Sequence, residues 1–251
     1  MIGRQRPLSD GFAQTLVLAA RLREDLGMLP TEIFEPVEVL ESAYPVACVA
    51  IPSLCVGAIR QWLEQRVESF PTQLLLAEQE DRPLRGAVLA WRGVGLLLAD
   101  EHDPWIEQRY TYAHEGAHFL LEHYFPRQEA LRCLGERIRP VLNGERPPTL
   151  EERSDALLRN TAVVWHTHLF PKDAQGRQFA EERADWLACG LLVPPETILR
   201  GEQKQVSTAE VADAYQIPRT IAEEYVLRLH YERQPKNHSL ALERLLSYTT
   251  T

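Results

Sequence analysis

The stretch R-Y-T-Y-A-H-E-G-A-H-F-L-L-E-H-Y, Arg109 to Tyr124, carries His114, Glu115 and His118 in the order H-E-x-x-H. On a helix, residues four apart share one face, with Cβ atoms about 5–6 Å apart. Two imidazoles so placed can hold one metal ion. A catalytic zinc takes three protein ligands and keeps one position open for water. Zinc lowers the pKa of that water to about 7, and Glu115, next to the first histidine, is placed to take its proton. The pattern fixes only three residues, so it also arises by accident, as solvated histidines on a surface helix. A third ligand decides between the two readings.

The longer motif H-E-x-x-H-x-x-G-x-x-H does not supply it. Leu121 and Tyr124 stand where the glycine and the third histidine belong, and His123 is one residue out of register. The other source is an acid from a later helix. F-A-E-E-R-A-D-W-L-A-C-G-L-L-V-P, Phe179 to Pro194, places Glu181 and Asp185 four residues apart. Glu181 can complete the metal sphere, and Asp185 can accept the N–H of a ligating imidazole and fix its tautomer. Glu182, about 100° around the helix, is the second choice for the ligand. Taken alone, Glu181 reads as a helix-start acid favoured by the helix dipole.

The rest of the chain suits such a site. Its 251 residues allow one large domain or two small ones. With 45% hydrophobic and 25% charged residues it reads as an ordinary globular chain. A net charge of −9 disfavours nucleic-acid binding. The longest apolar runs, such as Val94 to Ala99, are too short to span a bilayer, and no signal-peptide pattern is present. Cys48, Cys55, Cys133 and Cys189 form no C-x-x-C pair, so they read as reduced thiols of a cytoplasmic protein.

Periodicity predicts a helix over Ser9–Leu26 stopped by Gly27, and a second opened by Pro36. It predicts a strand over Pro45–Ile51 and a helix capped by Ser53 that runs to about Val67. T-Q-L-L-L-A-E-Q, from Thr72, fits strand or helix equally. G-A-V-L-A-W-R-G-V-G-L-L-L-A-D, Gly86 to Asp100, reads as a hairpin. The motif helix starts with Asp103 as cap and Pro104 as first residue, and ends near Phe125 because Pro126 follows. Arg127–Asn143 reads as helix broken near Pro140. Thr149 and Glu152 form a capping box for a helix reaching about Val164, and F-P-K-D-A-Q-G, Phe170 to Gly176, reads as a loop. Gln178–Leu192 is helical, stopped at Pro194-Pro195. Thr208–Tyr215 and Arg219–His230 look like a helix-turn-helix, but Glu223 and Glu224 on its second helix disfavour DNA reading.

At this point the residues amount to a resemblance. R-Y-T-Y-A-H-E-G-A-H-F-L-L resembles the R-F-T-x-A-H-E-x-G-H-x-L-L signature of the ImmA/IrrE family of metallopeptidases. E-E-R-A-D-W-L-A-C-G-L-L-V-P is similar to that family's E-x-E-A-N-x-F-A-x-x-L-L-M-P segment. The hairpin and the C-terminal helix pair also stand in the family's order, so the resemblance covers roughly Pro36 to Leu229. It implies that His114, His118 and Glu181 bind Zn2+, that Glu115 is the catalytic general base, and that Asp185 supports a ligand. It further implies a protein substrate, a helix-turn-helix transcriptional repressor controlling stress or mobile-element genes. Three departures stand out. Gly116-Ala117 replaces a large residue followed by glycine, Arg183 replaces the second acid of E-x-E, and the ligands His118 and Glu181 lie 181 − 118 = 63 residues apart.

The expected fold is α+β and zincin-like: a small twisted sheet, an H-E-x-x-H helix and a mostly helical remainder. Residues 1–200 form the metallopeptidase domain, with a helical insertion at about 126–178 expected to line or cover the cleft. Residues 201–251 form a C-terminal helical segment packed on that domain. His166 and His168, at alternate positions, and Tyr112 are candidate stabilisers of an oxyanion. The competing reading is a zinc-containing DNA-binding or scaffold regulator without proteolytic activity.

Overall fold

Apolar runs on both sides of a tight turn make the sheet, and amphipathic helices cover it. The computed structural model describes residues 8–66, 82–161, 163, 174–199 and 207–232. Helices α1 (Leu8–Asp25) and α2 (Pro36–Ala43) precede strand β1 (Val46–Ile51) and helix α3 (Val56–Glu64). Strands β2 (Gly86–Trp91) and β3 (Val94–Asp100) form the hairpin, and α4 (Trp105–His118) carries the motif. Thr72–Gln79, His166 and His168 lie outside the described residues, as does part of the loop expected from Phe170.

The sheet has the order β1-β3-β2, with β1 parallel and β2 antiparallel to β3. Its pleat serves two cores. Val88, Ala90, Leu97 and Ala99 enter the main core with α4, while Ala87, Leu89 and Leu98 pack with Ile59 and Leu63 of α3. A sheet covered on both faces explains why these strands read as nearly continuous apolar runs. The protein is thus α+β, a small mixed sheet with a mostly helical remainder.

Beyond His118 the chain departs from expectation. The helix does not stop before Pro126. It passes through a π-helical turn, Phe119–Tyr124, and resumes as α5 (Phe125–Leu134), with Pro126 in the first turn. The π-helical turn falls where the ring of Pro126 and its missing N–H would otherwise break the α-helical ladder. The break falls at Gly135, with φ 75°, and not at Pro140, which lies in the first turn of α6 (Arg139–Leu142). Helix α7 (Leu150–Leu158) has the predicted capping box, but ends early. Cys55, not Ser53, caps α3, because Ser53 adopts φ 52° and turns the chain. Helix α4 starts one residue later than expected, with Pro104 in the cap position.

Helix α8 (Ala174–Leu192) packs against both α1 and α4. After α9 (Pro195–Leu199), helices α10 (Thr208–Tyr215) and α11 (Arg219–Glu232) complete the described chain. Val211, Ala212, Ile217 and Tyr225 sit in the same core as α1, α4 and α8, so this C-terminal pair has no separate core. The insertion is different. Ala130, Leu134, Ile138, Val141 and Leu142 form a core of their own with Ala156.

Buried arginine ties the C-terminal pair down. Arg109 of α4 is 3% exposed. It donates to the carbonyls of Tyr215 (2.6 Å) and Gln216 (2.9 Å) in the α10–α11 turn, and to that of Phe34. We expect Arg109→Met to cost about 2–4 kcal/mol in denaturant unfolding, since it strips a charged donor from buried acceptors. A loss below about 0.5 kcal/mol, the size of a neutral surface change, would contradict this role.

Candidate metal centre

Helix α4 stacks His114 one turn before His118, and α8 brings Glu181 across from them. The Nε2 atoms of the two histidines are 3.2 Å apart. Glu181 Oε2 is 3.4 Å from each of them. The cluster can hold a metal ion. Four tetrahedral ligands at zinc bond lengths of 2.0–2.1 Å stand about 3.3 Å from one another, so this triangle matches one face of such a sphere.

Both rings are held from behind. His114 Nδ1 is 2.9 Å from Asp185 Oδ1, although the carboxylate lies off the axis of the ring N–H. The same oxygen accepts the hydroxyl of Tyr110 at 2.8 Å. His118 Nδ1 contacts Glu122 Oε1 at 3.0 Å. Carboxylates on Nδ1 leave Nε2 of each ring for the ion. Glu122 and Tyr110 escaped the sequence reading, yet each stands four residues from a histidine on the same helical face. Glu182 turns elsewhere and accepts from Gln178.

Glu115 is 9% exposed and lies against the start of β2. A Cβ at Gly86 would stand 2.6 Å from Glu115 Oε1 and 2.4 Å from Thr111 Cγ2. Only glycine leaves room there for the carboxylate. Gly116, one of the departures from the family signature, has a similar cause: its missing side chain makes space for Leu40 of α2.

These residues line a cleft of about 410 Å³ that runs from β2 to Thr220 and Ile221 at the start of α11. Tyr112 does not reach it. That ring is buried in the main core, on the side of Cys48 and Glu41, and so cannot serve an oxyanion here. His123 stacks on Phe119 outside the metal cluster. Among the described residues, none of the insertion lines this cleft, contrary to expectation. Ala130, Leu134, Ile138, Val141, Leu142 and Ala156 of the insertion pack on one another instead, while Leu150, Leu157 and Leu158 of α7 stay exposed.

Burial disfavours the charged imidazoles, but the carboxylates outweigh it. Asp185 and Glu181 hold His114 up to about 10. Glu122 and Glu181 hold His118 up to about 9. The two histidines hold Glu181 well below the usual carboxylate range. Full burial pushes Glu115 up, against the pull of both histidines.

Family models, curated proteins and solved structures were all compared with the chain, and none matches. Among the described residues, no helix is long and apolar enough to cross a membrane.

Two outcomes follow. The protein should take up about one zinc per chain, and Glu181→Gln should remove most of that affinity while Glu182→Gln leaves it. The reverse result would move the third ligand by one residue. The second outcome concerns pH. Both imidazoles sit above their unfolded value near 6.5, so without metal their protonation stabilises the fold fully below that pH. This contribution is lost as pH rises through about 9 to 10. An incoming ion must expel those protons, so zinc affinity should rise about tenfold per pH unit for each proton released. A chelator-competition titration between about pH 6 and pH 8 reads the slope, and a flat profile contradicts it.

Proposed function

We propose that this chain is a cytoplasmic zinc metallopeptidase that cleaves a protein substrate, a helix-turn-helix repressor in a stress or mobile-element switch. The observation that carries this reading is the triangle of His114 Nε2, His118 Nε2 and Glu181 Oε2, with the buried Glu115 carboxyl beside it in a cleft edged by a strand. A closed structural site would recruit a fourth side chain. Among the described residues the cluster has three members, and it faces a cleft of about 410 Å³.

When bound, zinc supplies Lewis acidity, polarising a carbonyl and making water a better nucleophile. The chain's own residues do the rest. His114, His118 and Glu181 bind the ion, while Asp185 and Glu122 orient the rings. Among the described residues strand β2 pairs only with β3, and an extended substrate would add along its other edge. Glu115 takes a proton from the attacking water as its oxygen joins the carbonyl carbon. It then hands that proton to the departing amine as the C–N bond breaks. Burial raises its pKa, which suits a group that must both take and return a proton.

The regulator alternative loses support from α11. A recognition helix reads bases with its first turns, whereas Thr220 and Ile221 in the first turn of α11 face the cleft.

Glu115→Gln keeps shape but cannot accept the proton. It should fold and bind zinc like the wild type, and lose on the order of 10²–10⁴ in cleavage. The assay incubates the zinc-loaded protein with repressors encoded near it and quantifies fragments. Equal fragment yields from both proteins would overturn the reading.

A further inference from the structure

Beyond the histidine pair, the cleft shares one wall residue with a second depression. Glu122, which touches His118, also borders a shallow depression with Ala90, Arg92, Gly93 and Arg127. The last three of these residues in turn border a larger open hollow of about 590 Å³. Four arginines line that hollow, Arg92, Arg127, Arg132 and Arg139, against a single acid, Glu136. In a chain of net charge −9 this is a local inversion of sign.

The arginines come from two places that the fold brings together. Arg92 is the first residue of the two-residue turn between β2 and β3, at φ 53°. That position favours Asn, Asp or Gly, and a long side chain there carries a backbone cost. The other three belong to the insertion. Arg127 packs beneath the hairpin turn, with its Nε within reach of Gly93, and donates to the side-chain oxygen of Asn143. Arg132 and Arg139 are exposed and engage Glu129 and Glu136 one turn back. Exposed pairs of this kind are worth little and exchange readily for a better anion. The guanidinium of Arg92 rests on Trp91. Among the described residues, neither Arg92 nor Arg127 forms an ion pair within 4 Å, and Arg127 feels Glu136 only at longer range. Burial and the neighbouring Arg139 both press against the charge of Arg127.

We propose that this hollow is a specificity subsite that receives an acidic segment of the peptide substrate. The inference rests on the peptidase reading above and adds to it which substrates are taken. A peptide laid along β2 with its scissile carbonyl beside Val88 reaches Arg92 after four residues of strand. At about 3.3 Å per residue that is about 13 Å. Glutamate or aspartate about four residues from the cut, on the hairpin side, then meets guanidinium groups that bind carboxylates in bidentate fashion. The insertion thereby acts on substrate choice from the end of the groove, without touching the metal.

The test compares two fluorescent decapeptides, identical except that one end carries three glutamates or three glutamines. Binding is read by anisotropy on the full-length, metal-free protein, so it does not depend on turnover. The glutamate peptide should bind about tenfold more tightly, and the difference should vanish near 1 M salt, where the Debye length is about 3 Å. It should also vanish in Arg92→Gln/Arg139→Gln, and shrink in Arg92→Gln alone should the double variant be unstable. Equal affinities for the two peptides, or a preference that survives these substitutions, would overturn the proposal. So would inorganic phosphate or a free triglutamate binding as tightly as the decapeptide, since the hollow would then be a free-anion pocket. In a second arm, zinc-loaded protein is given both peptides, and the glutamate form should show a lower KM at unchanged kcat. A glutamate preference in binding with neither peptide cut would leave the subsite standing and count against the peptidase reading alone.

Discussion

The contact between α4 and α8 is the constraint on which everything else depends. Both helices carry alanines at four-residue spacing, Ala113 and Ala117 on one and Ala184 and Ala188 on the other, all fully buried in one core. Small residues let two helix backbones come close. Only then do the short side chains of Asp185 and Glu181 reach imidazoles on the facing helix. Leucine at any of these fully buried positions would overpack the core that the two helices share and strain the geometry of the triangle. Helix α1 supports α8 from its other side, where Ala19 sits against Gly190.

Much of this geometry is legible in the residues. The four-residue spacing of His114 and His118 needs only helical periodicity, and the same rule picks Glu181 and Asp185 as a pair. It also reaches Glu122 and Tyr110, although there the spacing is shared with many innocent residues and becomes informative only once the metal face is known. The hairpin is legible because two apolar runs flank Arg92-Gly93.

The parts that were not legible are those set by tertiary packing. Gly86 lies in a strand, and nothing local says that a carboxylate from α4 needs its space. The π-helical turn hides behind Pro126, which in sequence looks like a stop. Tyr112 belongs to the same motif helix as the ligands but to its other side, and only the position of β1 decides that this side is core. The insertion looked like a cover for the metal because it joins the two ligand helices. Among its described residues, Ala130, Leu134, Ile138, Val141, Leu142 and Ala156 pack on one another and not against the cleft.

Among the described residues the outer edge of β2 has no partner strand, and this has one more consequence. An unpaired strand invites any extended chain, including the same strand of another copy, and proteins commonly blunt such edges with charge. Here Arg85 lies just before the strand and Arg92 just after it, so two copies meeting edge to edge in antiparallel fashion would bring like charges together at both ends. Arg85 is paired with Glu107, so the repulsion between two such edges would rest mainly on Arg92. Under the subsite proposal, sorting partners and opposing self-association would share one guanidinium group, that of Arg92.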